Sequence, residues 1–236
     1  MTKDQKQPRR RPGNSAGITR ARIVASARTI GPDALTMQAV ADDLGVDRKA
    51  ITYHVSDRDE LLTLLAVDSF QARFKSTVIP EGAAWDHALL AYGVAVAKSI
   101  IASGSLALYF RLSGEPDVES VRPAEALLES LIRGGFTEDS AARAISMVTN
   151  LAMGFAQDVH LNGEPGGHPQ SPELHRLLDE SRNDEFTILR NLDNSGFAPY
   201  DDTQLDFVLR TTVAGLAAQL AGPAASTTLP RMTAPA

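Results

Sequence analysis

The sequence contains no cysteine in its 236 residues. The chain therefore forms no disulfide bonds or thiolate metal sites, which fits a reducing compartment, and it offers no cysteine nucleophile. No stretch approaches the roughly 18 consecutive apolar residues of a membrane span. The basic N-terminal stretch is not followed by the apolar core of a signal peptide. We expect a cytoplasmic protein that makes no membrane contact.

The motifs of the common enzyme classes are missing as well. The sequence has no Glu-x-x-His pair of a diiron bundle, no Walker loop, no G-x-S-x-G and no H-E-x-x-H. The five histidines are scattered along the chain, at His54, His87, His160, His168 and His175. We therefore expect no catalytic residues, no cofactor and no metal site.

Charge is unevenly distributed along this acidic chain, whose formal net charge is −6. Residues 1–62 hold 11 Lys and Arg against 8 Asp and Glu, whereas the rest of the chain holds 12 against 21. The N-terminal part is therefore net basic and the remainder is strongly acidic. Local contact with DNA needs such a basic region.

Two short helices around a tight turn are predicted between Ala34 and Leu62. Thr36 is a good N-cap, and the apolar residues of the first helix recur at helical spacing up to Leu44. Gly45 can end that helix in a left-handed conformation, and Asp47 can cap a second helix over 48–55. Helix, turn with glycine and helix form a helix-turn-helix, whose second helix can enter the major groove of DNA.

Two further helices flank this motif. The apolar stripe of residues 18–30 predicts a supporting helix that ends at Gly31. Ser56 followed by Asp59 resembles a capping box and predicts a long helix over about 57–78. Because that helix would begin beside the motif and end in the body, we expect it to join the two.

From about Ile18 to Phe70 the sequence resembles the DNA-binding domain of the tetracycline-repressor (TetR) family. The matching residues are Ala27, Leu35-Thr36-Met37, Val40-Ala41, Leu44-Gly45-Val46, Tyr53-His54-Val55 and Asp59-Glu60-Leu61-Leu62. The resemblance implies an all-α fold, in which a long helix joins an N-terminal three-helix helix-turn-helix domain to an all-helical ligand-binding and dimerisation domain. One departure is Ile51-Thr52, where the family usually has Leu-Tyr; Thr52 is too short for that tyrosine's phosphate contact, which Tyr53 or His54 would take over.

We expect four segments along the chain. Residues 1–16 form a disordered basic arm, 17–62 the helix-turn-helix domain, 63–221 the helical effector-binding and dimerisation domain, and 222–236 a flexible tail. Apolar periodicity predicts body helices over 85–101, 105–112, about 119–134, 138–161, 172–192 and 203–220, with a flexible loop at 162–170. The arm, which carries Arg9, Arg10 and Arg11, either contacts DNA or is a solvated tail.

Eight residues are candidates for contact with double-stranded DNA: Thr36, Gln38, Arg48, Lys49, Thr52, Tyr53, His54 and Arg58. Arg48 or Lys49 can donate to guanine, and Gln38 can pair with a base edge. Thr36, Tyr53, His54 and Arg58 are better suited to phosphates. The alternatives are that Thr36 is only an N-cap and that His54 is only a helix-end histidine.

Small residues are concentrated in the helices predicted at 138–161 and 203–220, with larger apolar residues between them. They allow close approach of helices, either within the chain or between two copies. In the resembling family two such helices pair with their copies in a four-helix bundle. A homodimer would present two recognition helices to a near-palindromic operator.

The body either binds a small-molecule effector or only dimerises. Candidate pocket residues are Phe70, Phe74, Trp85, Tyr92, Val96, Tyr109, Phe110, Met147, Asn150, Met153 and Phe155, each of which can instead be plain core. With Trp85, the GGF segment at 134–136, an Ala-rich helix and an HLNG segment at 160–163, the body over residues 85–162 resembles that of the family's tetracycline-binding members. Ser103 stands where those have a metal-ligating histidine, and Arg73 where they have another ligand-contacting histidine. Magnesium–tetracycline is therefore not the expected effector. Repression is the family's usual outcome, although the residues do not distinguish it from activation.

Overall fold

The computed structural model describes residues 17–111, 118–182 and 184–222, and every regular element in these ranges is helical. The all-α prediction is confirmed. The helices are α1 Arg20–Ile30, α2 Met37–Leu44, α3 Arg48–Thr52, α4 Arg58–Phe74, α5 Trp85–Ile101, α6 Val118–Arg133, α7 Glu138–Asn162, α8 Gln170–Glu180, α9 Thr187–Asn194 and α10 Asp202–Ala221, with a 3₁₀ helix at Gly104–Tyr109. Within the described ranges, no helix combines the length and the apolar character that crossing a bilayer requires.

The chain divides into two compact units. Of the described residues, the first contains 17–69 and 108–111, and the second contains 70–107, 118–182 and 184–222. The division falls between Ser69 and Phe70, inside α4, seven residues beyond the boundary expected after Leu62. The arm at 1–16 and the tail from 223 onward lie outside the described residues.

Local capping signals determine the helix-turn-helix of the first unit. The Thr36 hydroxyl accepts a hydrogen bond from the Ala39 N–H at 3.0 Å, and the Asp47 carboxylate accepts one from the Lys49 N–H at 2.8 Å. Gly45 ends α2 with φ +66°, the left-handed conformation that glycine adopts without strain. Helix α3 is shorter than the expected 48–55. It ends at Thr52, and the backbone hydrogen bonds of the following residues form a turn.

The first turn of α4 is capped one residue later than the sequence pattern suggested. The Asp57 carboxylate accepts a hydrogen bond from the Glu60 N–H at 2.8 Å, while Glu60 reaches back to the Ser56 N–H at 2.7 Å. The expected pairing of Ser56 with Asp59 is therefore wrong. Glu60 can span this gap because its side chain is one methylene longer than that of aspartate.

The second unit is built on close packing of α5, α7 and α10. Gly93 of α5 makes this possible, since a Cβ placed there would lie 2.6 Å from Leu209 Cδ2 and 2.9 Å from Val148 Cγ2. Gly134, at the end of α6, allows equally close approach by the ring of Trp85, whose other neighbour is Phe136 at 5.1 Å between ring centroids. At both glycines a larger side chain would require the neighbouring side chains to shift.

The prediction of a single helix over 172–192 is wrong, because one helix ends at Glu180 and another begins at Thr187. Arg190 stabilises the break: its guanidinium adds hydrogen bonds to the carbonyl oxygens of Leu178, Ser181 and Arg182. The loop before α8, which was expected to be flexible, also contains a buried residue. His168 in it is buried and stacks on Tyr200, with 4.9 Å between ring centroids.

Candidate nucleic-acid interface

A groove of about 300 Å³ lies between the starts of α2, α3 and α4. Thr36 and Gln38 of α2, Arg48 of α3 and Arg58 of α4 contribute to its lining, together with Met37, Ser56 and Asp57. Four of the eight predicted DNA-contact residues are therefore brought together at one groove. Its hydroxyl groups and its two arginines can donate hydrogen bonds to a phosphate group.

The two α2 candidates already have hydrogen-bond partners. The Thr36 hydroxyl oxygen accepts the Ala39 N–H, which leaves its own proton available as a donor. The Gln38 amide donates to Asp42 Oδ1 at 2.8 Å, so one of its two N–H bonds and its carbonyl oxygen remain. Thr36 can therefore be both cap and phosphate donor, and Gln38 keeps donor and acceptor capacity for a base edge.

Arg48 and Lys49 are available cations in the described part of the first unit. Both are exposed at the start of α3, and among the described residues neither side chain forms an ion pair or hydrogen bond. Other arginines of this unit are engaged, for example Arg28 with Asp68 at 2.5 Å. Unpaired cations on an exposed helix lose no protein contact when they bind an anion.

The end of α3 presents Tyr53, which is 86% exposed, more than any other large apolar side chain in the described ranges. Its ring meets His54 edge to face, with 5.1 Å between centroids. The Thr52 hydroxyl donates to the Arg48 carbonyl oxygen at 3.1 Å and so bonds within its own helix. Tyr53, with a phenol far from the backbone, is better placed than Thr52 to reach a phosphate.

Arg58 has a different arrangement from the one its sequence position suggested. Its Nε donates to the Leu35 carbonyl oxygen at 2.8 Å, and one terminal nitrogen donates to that of Pro32 at 3.2 Å. The guanidinium thereby fastens the start of α4 to the loop before α2. Arg58 supports the groove from inside and keeps both N–H groups of Nη1 and one of Nη2 for a ligand.

Two residues of this region were not singled out from the sequence. Arg20 of α1 and Glu60 of α4 form an ion pair at 2.5 Å, and Arg20 also donates to the His54 carbonyl oxygen. Their separation of 40 positions in the chain gives no local signal. Glu60 falls within a segment that matches the TetR-like pattern, and this was the only sequence signal for either residue.

The predicted ligand residues do not form one group. Phe70, Phe74 and Tyr92 form an aromatic cluster in the second unit, with 4.8 Å between the Phe70 and Phe74 centroids and 5.5 Å between those of Phe74 and Tyr92. Burial raises the pKa of the Tyr92 phenol, whose oxygen lies 3.5 Å from that of Thr149. Val96 and Phe155 are also buried, and Met153 is half-buried.

Five other ligand candidates lie elsewhere. Met147 and Asn150 are exposed on α7, on a different face from Val148 and Thr149, so the structure does not bring them to the buried aromatic cluster. A helix advances about 100° per residue, and α7 therefore turns these side chains away from α5. Trp85 is half-buried and packs on Gly134 and Phe136. Tyr109 and Phe110 belong to the first compact unit.

No protein-family model matches the chain, and no curated protein matches it. Several solved structures do match the chain. A Streptomyces coelicolor protein described as a possible TetR family transcriptional regulator is 23% identical with a TM-score of 0.66, and the match covers 85% of this chain and 100% of that one. The Streptomyces coelicolor TetR family protein ActR, in complex with actinorhodin, is 23% identical with a TM-score of 0.63, over 86% and 97% of the two chains.

A TetR variant from Acinetobacter baumannii AYE, in complex with minocycline, is 18% identical with a TM-score of 0.58, over 90% of this chain and 100% of that one. These similarities extend over nearly the whole length of each neighbour. The chain therefore has the fold of the TetR-family transcriptional regulators, as the resemblance in the N-terminal sequence implied.

Proposed function

We propose that this protein is a DNA-binding transcriptional regulator of the TetR family, and that it acts as a repressor in the cytoplasm. The observation that carries the proposal is the pair of exposed, unpaired cations Arg48 and Lys49 at the start of a helix-turn-helix recognition helix, beside a groove suited to phosphate. In this proposal Thr36, Tyr53 and His54 contact the phosphate backbone of the DNA, and Gln38 contacts a base edge. We assign no catalytic role to the chain.

We further propose that two copies pair through α7 and α10. The outer faces of these helices are apolar and exposed in the single chain, including Leu151 on α7 and Phe207 on α10. Gly154 and Gly215 lie inside the helices with nothing within 4 Å of an added Cβ, so packing within the chain does not require them. Because glycine inside a helix costs about 1 kcal/mol relative to alanine, close approach by a second copy offers a reason for both.

The proposal predicts a two-fold symmetric target. When the full chain selects duplexes from a randomised library, we expect enrichment of a near-palindrome whose half-sites lie about one helical turn, or a multiple of it, apart. Sequencing the bound fraction after successive rounds measures this. A scrambled duplex of equal length is the control. If no duplex is enriched and the scrambled one binds equally well, the proposed function is wrong.

The effector we propose is a multi-ring aromatic molecule bound near the Phe70–Phe74–Tyr92 cluster. The bound molecules of two neighbours, actinorhodin and minocycline, are of this kind. Stacked and edge-to-face aromatic side chains favour flat aromatic rings, and the Tyr92 hydroxyl, which has one long contact at 3.5 Å, is available to a polar substituent.

We expect actinorhodin to release the selected duplex, because an effector that binds the free protein more tightly than the DNA-bound protein shifts the equilibrium toward the free protein. In Tyr92→Phe, loss of one buried hydrogen bond should raise the half-effective concentration roughly fivefold. A competition assay with labelled duplex measures both, with Phe197→Leu, an exposed aromatic position outside the cluster, as control. Release by minocycline only with magnesium would contradict the inference from Ser103 and Arg73.

A further inference from the structure

Four hydrogen bonds converge where α1 and α4 meet the segment after α3. Arg20 Nε donates to the His54 carbonyl oxygen at 2.9 Å, and Arg20 Nη2 donates to Glu60 Oε1 at 2.5 Å. Glu60 Oε2 accepts from the Ser56 N–H at 2.7 Å and from the Ser56 hydroxyl at 2.8 Å. The residues on both sides of buried Val55 are therefore held by one arginine–carboxylate pair.

The carboxylate of Glu60 is the centre of this network. The Ser56 N–H lowers the pKa of Glu60 most, and the Ser56 hydroxyl and Arg20 lower it further, against the opposing effect of burial. The group is therefore ionised at neutral pH, and its hydrogen bonds are charge-assisted, which makes them shorter and stronger than neutral ones. An exposed ion pair alone adds little stability, but a network with several partners fixes geometry.

Helix α3 depends on such contacts more than a longer helix would. It contains five residues, and only Ile51 among them is buried. A short helix held by one apolar side chain can pivot about it, and a pivot moves the exposed cations at the opposite end. The bonds to His54 and Ser56 restrain the other end of the helix. Their direction, not only their strength, sets where Arg48 and Lys49 point.

We propose that Glu60 is a positioning residue for sequence-specific DNA binding, which together with Arg20 fixes the orientation of α3. The inference rests on the proposed function. Glu60 has the wrong charge to touch a phosphate, so its effect on DNA binding is exerted through Arg20, His54 and Ser56.

The substitution Glu60→Gln separates positioning from charge. Removing a negative charge near DNA strengthens binding to every duplex if electrostatics alone acts. Glutamine keeps an acceptor for the Ser56 N–H, but its amide N–H groups face the donors of Arg20 and the pair is lost. Positioning therefore predicts weaker binding to the selected duplex, which is the opposite sign.

The matched control is Asp59→Asn. Asp59 is an exposed neighbour in the same helical turn, and among the described residues its side chain has no hydrogen bond or ion pair. Both variants change the formal charge by the same amount in the same place. A difference between them therefore reports the contacts of Glu60 and not its charge.

The experiment titrates the full chain against the duplex that the unaltered chain selects and against a scrambled duplex of equal length. For Glu60→Gln we expect roughly tenfold weaker binding to the selected duplex, unchanged or tighter binding to the scrambled one, and an unchanged salt slope, since no phosphate contact is lost. Asp59→Asn should not weaken binding to either duplex. With Arg20→Gln, the losses in a double-mutant cycle should be less than additive.

Thermal unfolding identifies a variant that fails to fold. In that event Glu60→Asp is used, which retains the charge but is too short to span Ser56 and Arg20 together, and it should show the same loss of selectivity. The inference is overturned if the folded variant binds the selected duplex as tightly as Asp59→Asn does, or if both duplexes weaken equally. Failure of the unaltered chain to select any duplex would instead overturn the proposed function.

Discussion

The double substitution Arg48→Ala/Lys49→Ala is expected to abolish recognition of the selected duplex. Each cation that reads a base contributes about 1–3 kcal/mol, so removing both should weaken binding at least about 30-fold. Stability should change little, because both side chains are exposed and neither has a described partner. Fluorescence anisotropy with labelled duplex at several salt concentrations measures the loss. It also shows whether either residue contacts a phosphate, since a lost phosphate contact reduces the salt slope.

The matched control is Lys75→Ala/Lys98→Ala, which removes the same charge from exposed positions of the second unit. If long-range attraction were the whole effect, both double variants would weaken binding to a similar extent. We expect the control to bind within about twofold of the unaltered chain, since exposed charges beyond about 10 Å are largely screened. Equal losses in the two variants, or none in the first, would mean that α3 does not read the duplex.

The double substitution Leu151→Glu/Phe207→Glu is expected to separate the two copies and so to weaken operator binding. Phe207 is 64% exposed and Leu151 is 37% exposed in the single chain, so each protomer should still fold. Paired copies would bury four added carboxylates against one another, a cost that an apolar interface cannot offset. Sedimentation equilibrium should show the mass falling from two chains to one of 25.2 kDa.

Loss of the dimer should weaken binding to the selected duplex by roughly 100-fold or more, because each half-site is then bound alone and avidity is lost. The control Val78→Glu/Val121→Glu adds the same charges at exposed apolar positions outside α7 and α10. It should stay dimeric and bind normally. A variant that keeps full affinity as a monomer would show that one recognition helix is sufficient.

Most of the first unit could be predicted from residues close together in the chain. The N-caps Thr36 and Asp47 and the left-handed Gly45 act on backbone groups within three residues, so the pattern alone located α2, the turn and the start of α3. The end of α3 was placed three residues too far. Val55 lies four residues after Ile51 and continues the apolar spacing, but the chain turns to bring Ser56 to Glu60.

The second unit shows where local pattern is insufficient. The segment 172–192 reads as one helix, yet Arg190 donates back to the carbonyl at Leu178 and stabilises a break. The apolar spacing of α7 predicted a helix correctly but not which side chains face inward. Met147 and Asn150 were grouped with the aromatic cluster, whereas the packing of α5 against Val148 leaves both exposed.

The sequence by itself determined the all-helical class, the helix-turn-helix and the exposed cations of α3, since periodicity, caps and turns depend on near neighbours. The tertiary structure alone decided that Arg58 supports the groove, that Arg20 and Glu60 hold the end of α3, and which face of α7 is free. Hydrogen bonds between residues 20–40 positions apart, and the burial of one helix face, arise only when distant elements pack.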